Sequence, residues 1–197
     1  MSAISGAKMA SLLAELTSGD DERAEKAITA LVELGEAATQ PLLDLTRSGD
    51  ADIRWWAIRA LASSPHTQTR DLIPSLSDPA PEVRAAAALA LCAHPGAEAV
   101  EALVKTLGDA DSLTAGLAGN ALVKLGAPAV PRLLEVMNEA ENGIRILALR
   151  ALSEIRDHRA IPVMMKCLND ENESAVIQYW AQQGLERLGL DMVYIKP

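Results

Sequence analysis

The sequence predicts an all-α protein, a right-handed α-solenoid of stacked helical hairpins, and three observations support that fold class. The 197 residues include no Phe and only 3% aromatic residues. Ala and Leu account for 35 and 28 residues, a composition that favours close-packed helices over a β-sandwich. A short motif also recurs at almost constant spacing, which is the signature of a repeat architecture.

The recurring motif is Ala-x-x-Ala-Leu, and each copy predicts the first helix of a hairpin. The steps between successive first alanines are 30, 30, 31, 30 and 33 residues, so a repeat is about 30–31 residues long. In most copies, apolar residues four positions before this alanine and three positions after the leucine extend one stripe along a single helical face. The first alanines are Ala27, Ala57, Ala87, Ala118, Ala148 and Ala181, with Gly184 replacing the second alanine in the last copy.

A second apolar stripe follows each motif and predicts the second helix of the hairpin. Its clearest copies are Val100/Leu103/Val104/Leu107, Val130/Leu133/Leu134/Met137 and Ile161/Met164/Met165/Leu168. Ser64-Pro65 and Pro74 interrupt the stripe of the second repeat, so a short or kinked helix is expected there.

Polar and glycine residues mark where the predicted first helices begin and end. Helix ends in the left-handed region are predicted at Gly35, Gly126 and Gly189. Four aspartates precede first helices and are predicted to cap them: Asp20, Asp50, Asp78 and Asp111.

The repeats predict one solenoid domain over residues 1–197. Residues 1–19 are expected to form a capping half repeat, residues 20–172 five repeats, and residues 173–197 a C-terminal cap in which Met192–Ile195 folds over the last repeat. Stacking is required because a single hairpin cannot bury its own apolar face. The small alanines let neighbouring helix axes approach closely.

This pattern resembles the HEAT-like repeats named after the phycobiliprotein bilin lyases (PBS lyases). The best copies run from Pro81-Glu82-Val83-Arg84 to Leu91 and from Gly143-Ile144-Arg145 to Leu152, followed by Ala99-Val100 and Ala160-Ile161. The resemblance covers residues 20 to 189 and implies a HEAT-like, armadillo-type superhelix. It also implies an alternative function, that of a bilin-lyase-like or chaperone-like subunit that acts with a partner protein.

Charge and cysteine content narrow the functional classes. The formal net charge is −9 and the pI is about 4.8, so a nucleic-acid partner, including the substrate of a HEAT-like DNA glycosylase, is not expected. Two distant cysteines without a secretory framework, and no apolar run of membrane-span length, predict a cytoplasmic protein without a membrane partner. A monomer is expected.

Catalytic and metal-binding patterns are weak, so we expect no enzyme activity, no metal and no cofactor. His66, His94 and His158 each fall in or beside a predicted turn, and none pairs with another His at helical spacing. Deoxyhypusine hydroxylases use similar repeats with His-Glu pairs, which are missing here. Cys92 and Cys167 fit small, partly buried apolar positions.

The sequence therefore predicts a scaffold or adaptor that binds a protein through the concave face of the solenoid, which the second helices line. Positional counting places nine residues on this predicted ridge: Asp44, Asp71, Glu98, Lys105, Arg132, Glu135, Arg159, Val163 and Lys166. The ridge has mixed charge and is mildly basic toward the fifth repeat.

Two further sets of residues stand out on the first helices. Trp55 and Tyr179 are expected on the outer face and offer a rival contact surface. The position three residues before the first alanine of the motif is an arginine in three repeats: Arg54, Arg84 and Arg145. This pattern predicts a ladder of exposed ion pairs between repeats.

Overall fold

The computed structural model describes residues 3–190, and over that range the chain forms twelve α-helices and no β-strand. The first six are α1 (Ala3–Leu16), α2 (Asp21–Glu33), α3 (Thr39–Leu45), α4 (Ala51–Ser63), α5 (Thr69–Leu72) and α6 (Pro81–Ala93). The others are α7 (Val100–Thr106), α8 (Ser112–Leu125), α9 (Val130–Glu139), α10 (Asn142–Ile155), α11 (Ile161–Asn169) and α12 (Ala175–Arg187). The predicted all-α solenoid is confirmed. The segment Met192–Ile195 lies outside the described residues.

The chain divides into two compact units, unit 1 (Met1–His94) and unit 2 (Pro95–Pro197). The predicted single domain, with boundaries at 1–19, 20–172 and 173–197, stays a prediction. Of the described helices, no single one is long and apolar enough to cross a membrane, although the bent pair Ser112–Leu125 and Ala127–Glu139 meets those criteria jointly.

Unit 1 pairs its helices in the predicted order. The first helices α2, α4 and α6 pack side by side, while α1 packs on α2 and α3 packs on α4. The motif alanine Ala57 and the leucine Leu61 are fully buried at the centre of this layer. Because an alanine projects only a methyl group, the neighbouring helices can approach closely enough to bury the leucines around it.

Unit 2 repeats this arrangement more regularly. The first helices α8, α10 and α12 form one layer, and the second helices α7, α9 and α11 pack against it. Each second helix begins with a 3₁₀ turn that ends in a buried alanine: Ala99, Ala129 and Ala160. The tight turn and small side chain bring the chain back onto the first helix within a few residues.

Most of the predicted helix ends are confirmed, and one is wrong. The side chains of Asp20, Asp50 and Asp111 accept hydrogen bonds from backbone amides at the start of α2, α4 and α8. Asp78 does not cap α6, because Ala80 is the N-cap, and the Asp78 carboxylate accepts hydrogen bonds from Arg54 and from the Ala80 amide.

The backbone angles confirm the predicted glycine positions and add one that is not glycine. Gly35, Gly126 and Gly189 have φ values of 65°, 69° and 79°. Arg156 occupies the equivalent position after α10 with φ of 58°, a conformation that costs an L-residue free energy.

The second helices of the second and fifth repeats do not have a regular buried stripe. The predicted interruption of the second repeat is confirmed, since α5 has four residues and continues as a 3₁₀ helix, Ile73–Ser77, that contains Pro74. In α11 the predicted buried residue Met165 is 38% exposed, and Cys167 is buried on that face with Met164. The stripe was assigned by apolar character, which does not separate adjacent methionines.

Candidate functional site

A groove lies between the second helices α7 and α9 in unit 2, and we refer to it as the α7–α9 groove. Its volume is about 550 Å³. Small and apolar side chains line its floor: Ala102, Val104, Val136, Ala140 and Ile144. Charged side chains line its rim: Glu101, Lys105, Arg132 and Glu139. An apolar floor within a charged rim is the usual anatomy of a protein-binding surface.

Arg132 is held in place on the rim by three carboxylates. Its guanidinium lies 3.2 Å from Glu101, 3.1 Å from Glu135 and 3.5 Å from Glu139. The hydrogen bond to Glu101 is the main cause of a raised pKa for Arg132, so its charge is permanent. Together with Lys105, these residues carry two positive and three negative charges. The mixed-charge ridge is therefore slightly acidic around Arg132 in the fourth repeat, whereas its mildly basic character was predicted toward the fifth repeat.

The other predicted ridge residues lie in different settings. Val163 and Lys166 line a polar cleft of about 320 Å³ near the turn that precedes α12. Arg159 is bound to Asp157 at 2.7 Å and donates to the Ala127 carbonyl at 3.0 Å. Hydrogen bonds from Arg159 lower the pKa of Asp157 to about 2, so this pair is ionised at neutral pH.

Three ridge residues remain. Asp44 and Glu98 are exposed, on α3 and in the 3₁₀ turn before α7. Asp71 is half-buried and accepts a hydrogen bond from the Gln68 amide as part of a capping box, which gives it a structural role. The structure thus gathers Lys105, Arg132 and Glu135 at or beside the groove, while the ridge as a binding site stays a prediction.

A second cleft lies in unit 1 between the first helices α2 and α4, and we refer to it as the acidic cleft. Its volume is about 500 Å³. Four carboxylates and one guanidinium line it: Asp21, Glu25, Asp50, Asp52 and Arg59. Apolar and small residues complete the lining: Thr17, Gly19, Ile53, Trp55 and Trp56.

Trp55 belongs to this cleft rather than standing free on the outer surface. It is half-buried and packs edge-on against the buried Trp56, with ring centroids 4.8 Å apart. The Arg59 guanidinium lies 5.6 Å from the Trp55 ring centroid and also bonds Glu25. Tyr179, in unit 2, is 55% exposed as expected and packs edge-on against Trp180.

The predicted arginine ladder exists, but two of its ion pairs are buried rather than exposed. Arg54 donates two hydrogen bonds of 2.7 Å to Asp78, and Arg145 bonds both carboxylate oxygens of Glu173. The side chains of both carboxylates are 9% exposed. Arg84 donates to backbone carbonyls in the turn before α6.

Each buried arginine also donates a hydrogen bond to a backbone carbonyl of the preceding repeat. Arg54 donates to the Ser48 carbonyl at 3.0 Å, and Arg145 donates to the Met137 carbonyl at 3.2 Å. One guanidinium therefore joins the end of the preceding second helix to the turn that begins the next repeat. This connection makes the ladder part of the fold rather than a ligand site.

The nucleophiles and histidines occupy structural or exposed positions. Burial raises the pKa of the Cys167 thiol, which favours the unreactive protonated form. His94 lies 2.9 Å from the Ala62 carbonyl, and His66 and His158 are exposed. Between residues 3 and 190, no group of three or more His, Cys, Asp or Glu side chains could hold a metal ion.

The helical hairpins, the buried motif alanines and the 30-residue spacing together define the repeat type. A family model for HEAT repeats matches residues 69–145 and 117–186, which is more than half of the chain. The chain belongs to the HEAT repeat family. No curated protein matches the sequence.

Solved HEAT-like structures share the fold. The structure of the complex of CpcE and CpcF of phycocyanin lyase from Nostoc sp. PCC7120 contains a chain that is 29% identical, with a TM-score of 0.58, over 74% of this chain and 98% of that one. An engineered protein is 24% identical with a TM-score of 0.52, over 92% and 96% of the two chains. A second engineered protein is 21% identical with a TM-score of 0.53, over 91% and 98%.

Reasoning from the sequence missed the carboxylates of the acidic cleft. They come from two repeats. Asp21, Asp50 and Asp52 each have a local role at a helix N-terminus, and Glu25 has one as the partner of Arg59. The repeat period offered a partial signal, because Asp21 and Asp52 are 31 residues apart, one more than the step of 30 between Ala27 and Ala57. Equivalent residues of adjacent repeats lie side by side across a helix–helix spacing of about 8–10 Å.

Proposed function

We propose that this HEAT repeat protein is a non-enzymatic scaffold that binds a protein partner through the α7–α9 groove. One observation carries the proposal: the groove combines an apolar floor with a charged rim on helices whose inner faces are already used by the core. Val104 is such a floor residue, buried against the repeat stack while bordering the groove.

The floor suits the approach of another chain. Ala102 and Ala140 are small and half-buried, so a partner side chain or helix can come close to the backbone of α7 and of the C-terminal end of α9. Arg132 is pre-organised by its three carboxylates, which reduces the entropy lost when it contacts a partner. Mixed charge favours a protein over a phosphate backbone.

The alternative function is a bilin-lyase-like or chaperone-like subunit that acts with a second protein. The similarity to a chain of the CpcE–CpcF complex favours it, because that protein assembles with a partner. For both functions we propose a cytoplasmic chain that is a monomer until it binds its partner. The two functions differ in the partner. Only a bilin-lyase-like subunit would act on a partner protein that carries a bilin.

The test is capture of partners from the native host with groove variants. Lys105→Glu and Ala102→Arg change the rim and the floor, and Lys124→Glu on α8 is the matched control because Lys124 is exposed outside the groove. We expect both groove variants to lose at least about ten-fold in captured partner, which corresponds to about 1.4 kcal/mol, and the control to retain it.

Circular dichroism checks that the variants remain folded. Retention of the partner by both folded groove variants would contradict the proposed surface. Capture of a protein that carries a bilin, and attachment of added free bilin to the bilin-free form of that protein in the presence of this chain, would select the alternative function.

A further inference from the structure

The acidic cleft holds more negative charge than its own helices neutralise. Four carboxylates line it against the single guanidinium of Arg59, a local charge of about −3. The other basic residues of α2 and α4 bind carboxylates outside the cleft: Arg23 binds Glu15, Lys26 binds Glu22, and Arg54 binds Asp78.

Helix capping accounts for part of this charge. Asp50 caps α4 through a 2.9 Å hydrogen bond from the Asp52 amide, and Asp21 and Asp52 lie in the first turns of their helices. Capping uses one oxygen of Asp50 and leaves its charge in place. The carboxylates of two adjacent helices therefore border one open cleft. They are exposed, so water and the helix N-termini offset part of their repulsion, and the charge that remains attracts a cation that enters the cleft.

The aromatic wall of the cleft suits the same kind of ligand. Trp55 is half-buried and packs edge-on against Trp56. The Arg59 guanidinium already lies 5.6 Å from the centre of the Trp55 ring, which shows that the ring accepts a cation in this environment. Together with Ile53, the indoles provide an apolar surface on which the methylene groups of a long cationic side chain can pack.

We propose that the acidic cleft is a second binding site, which takes a lysine or arginine side chain from a basic segment of a partner protein. The aliphatic stem packs against Trp55 and Ile53, and the cation lies among Asp21, Asp50 and Asp52. The volume of about 500 Å³ accommodates the side chain with part of its backbone. The site is distinct from the α7–α9 groove in both residues and charge.

The experiment titrates the full chain with short synthetic peptides. A peptide of alternating Arg and Gly is the probe, and the same peptide with Glu in place of Arg is its control. Binding is measured by calorimetry and by tryptophan fluorescence, since two of the three tryptophans line the cleft. We expect the Arg peptide to bind, with affinity that falls as salt is raised, and the Glu peptide not to bind.

Variants then locate the site. The double variant Asp21→Asn with Asp52→Asn, and separately Trp55→Leu, should each weaken Arg-peptide binding at least ten-fold. The control is Glu22→Gln with Glu33→Gln, which removes the same charge from exposed positions of α2 that do not line the cleft. This control should bind within two-fold of the parent.

Three results would overturn the proposal: no binding of the Arg peptide, equal binding of the Glu peptide, or unchanged affinity in the folded double variant. The groove variant Ala102→Arg keeps this test independent of the proposed function, because it adds bulk and positive charge to the groove and leaves the cleft unchanged. Arg-peptide binding that is lost in Ala102→Arg and kept in the cleft variants would assign the basic segment to the groove instead.

Discussion

The two units use the same repeat but present different surfaces. In unit 1 the acidic cleft is built from the first helices α2 and α4, whereas in unit 2 the groove is built from the second helices α7 and α9. Their volumes are similar, about 500 and 550 Å³. The difference lies in charge and in which helix layer supplies the side chains.

Regularity of the second helices underlies this difference. In unit 1, α5 has only four residues, and Pro74 follows within a 3₁₀ helix. In unit 2, α7, α9 and α11 have 7, 10 and 9 residues. Adjacent regular second helices can form a groove, and an interrupted one cannot extend it. Repeat periodicity therefore sets the stack, and departures from it decide where a surface can form.

Both units contain a buried ion pair between repeats, and its removal should cause the largest loss of stability. Glu173→Gln should lower the free energy of unfolding by about 3 kcal/mol, because Arg145 keeps its charge in a mostly buried position. Asp78→Asn should cause a comparable loss in unit 1. Urea denaturation followed by circular dichroism measures both.

The control for these pairs is Glu22→Gln, which removes an exposed pair with Lys26 and should leave the midpoint unchanged. A stable Asp78→Asn variant beside an unstable Glu173→Gln variant would show that only unit 2 depends on its ladder.

The pH dependence of stability should come from the same carboxylates. Hydrogen bonds from Arg145 lower the pKa of Glu173 in spite of its burial. Burial opposes ionisation of Asp78, but hydrogen bonds from Arg54 and the Ala80 amide outweigh it and lower its pKa too. Because the folded pKa values lie below the unfolded ones of about 4, their stabilisation is present above pH 4 and lost at lower pH.

The free energy of unfolding at acidic pH is therefore a second measurement on the variants Asp78→Asn and Glu173→Gln, whose new side chains are uncharged. Combining Asp78→Asn and Glu173→Gln should make stability fall less steeply as the pH is lowered below about 4. If the free energy of unfolding of the double variant fell as steeply with decreasing pH as that of the parent, the pH dependence would belong to other carboxylates.

An intermediate loss of stability is expected when a large side chain is placed on the alanine-rich buried face that the first helices of both units have. Ala90 is 1% exposed and Ala86 is half-buried on the same helix, α6. Ala90→Leu should lower stability by about 1–3 kcal/mol through overpacking, and Ala86→Leu should cost less. Equal urea midpoints for the two variants would contradict the assigned face.

The smallest expected effect is a gain in unit 2. Arg156 follows α10 with φ of 58°, where Gly126 and Gly189 have positive φ after α8 and α12. Arg156→Gly should raise stability by about 1 kcal/mol because glycine adopts this conformation without a Cβ clash. Gly126→Ala is the reciprocal variant and should lower the thermal midpoint; a fall for both would contradict the strain at Arg156.

The amino-acid sequence alone determined the helices, their order and their buried faces. The motif positions Ala57, Ala87 and Ala118 are all 0% exposed, as their spacing predicts. These features follow from local rules, since a helix repeats every 3.6 residues and its apolar stripe must be buried. The short helix at Pro74 and the glycine at 126 follow from local backbone chemistry in the same way.

Only the tertiary structure decided which charged side chains meet. Asp78 was expected to cap its own helix and instead binds Arg54, 24 residues away. Arg132 was expected on a mixed-charge ridge with Glu135, and the structure adds a partner that the sequence did not indicate, Glu101, 31 residues away. Such partners are set by how successive repeats stack, because residues about one period apart become neighbours across the helix–helix contact while local sequence gives each of them a plausible role of its own.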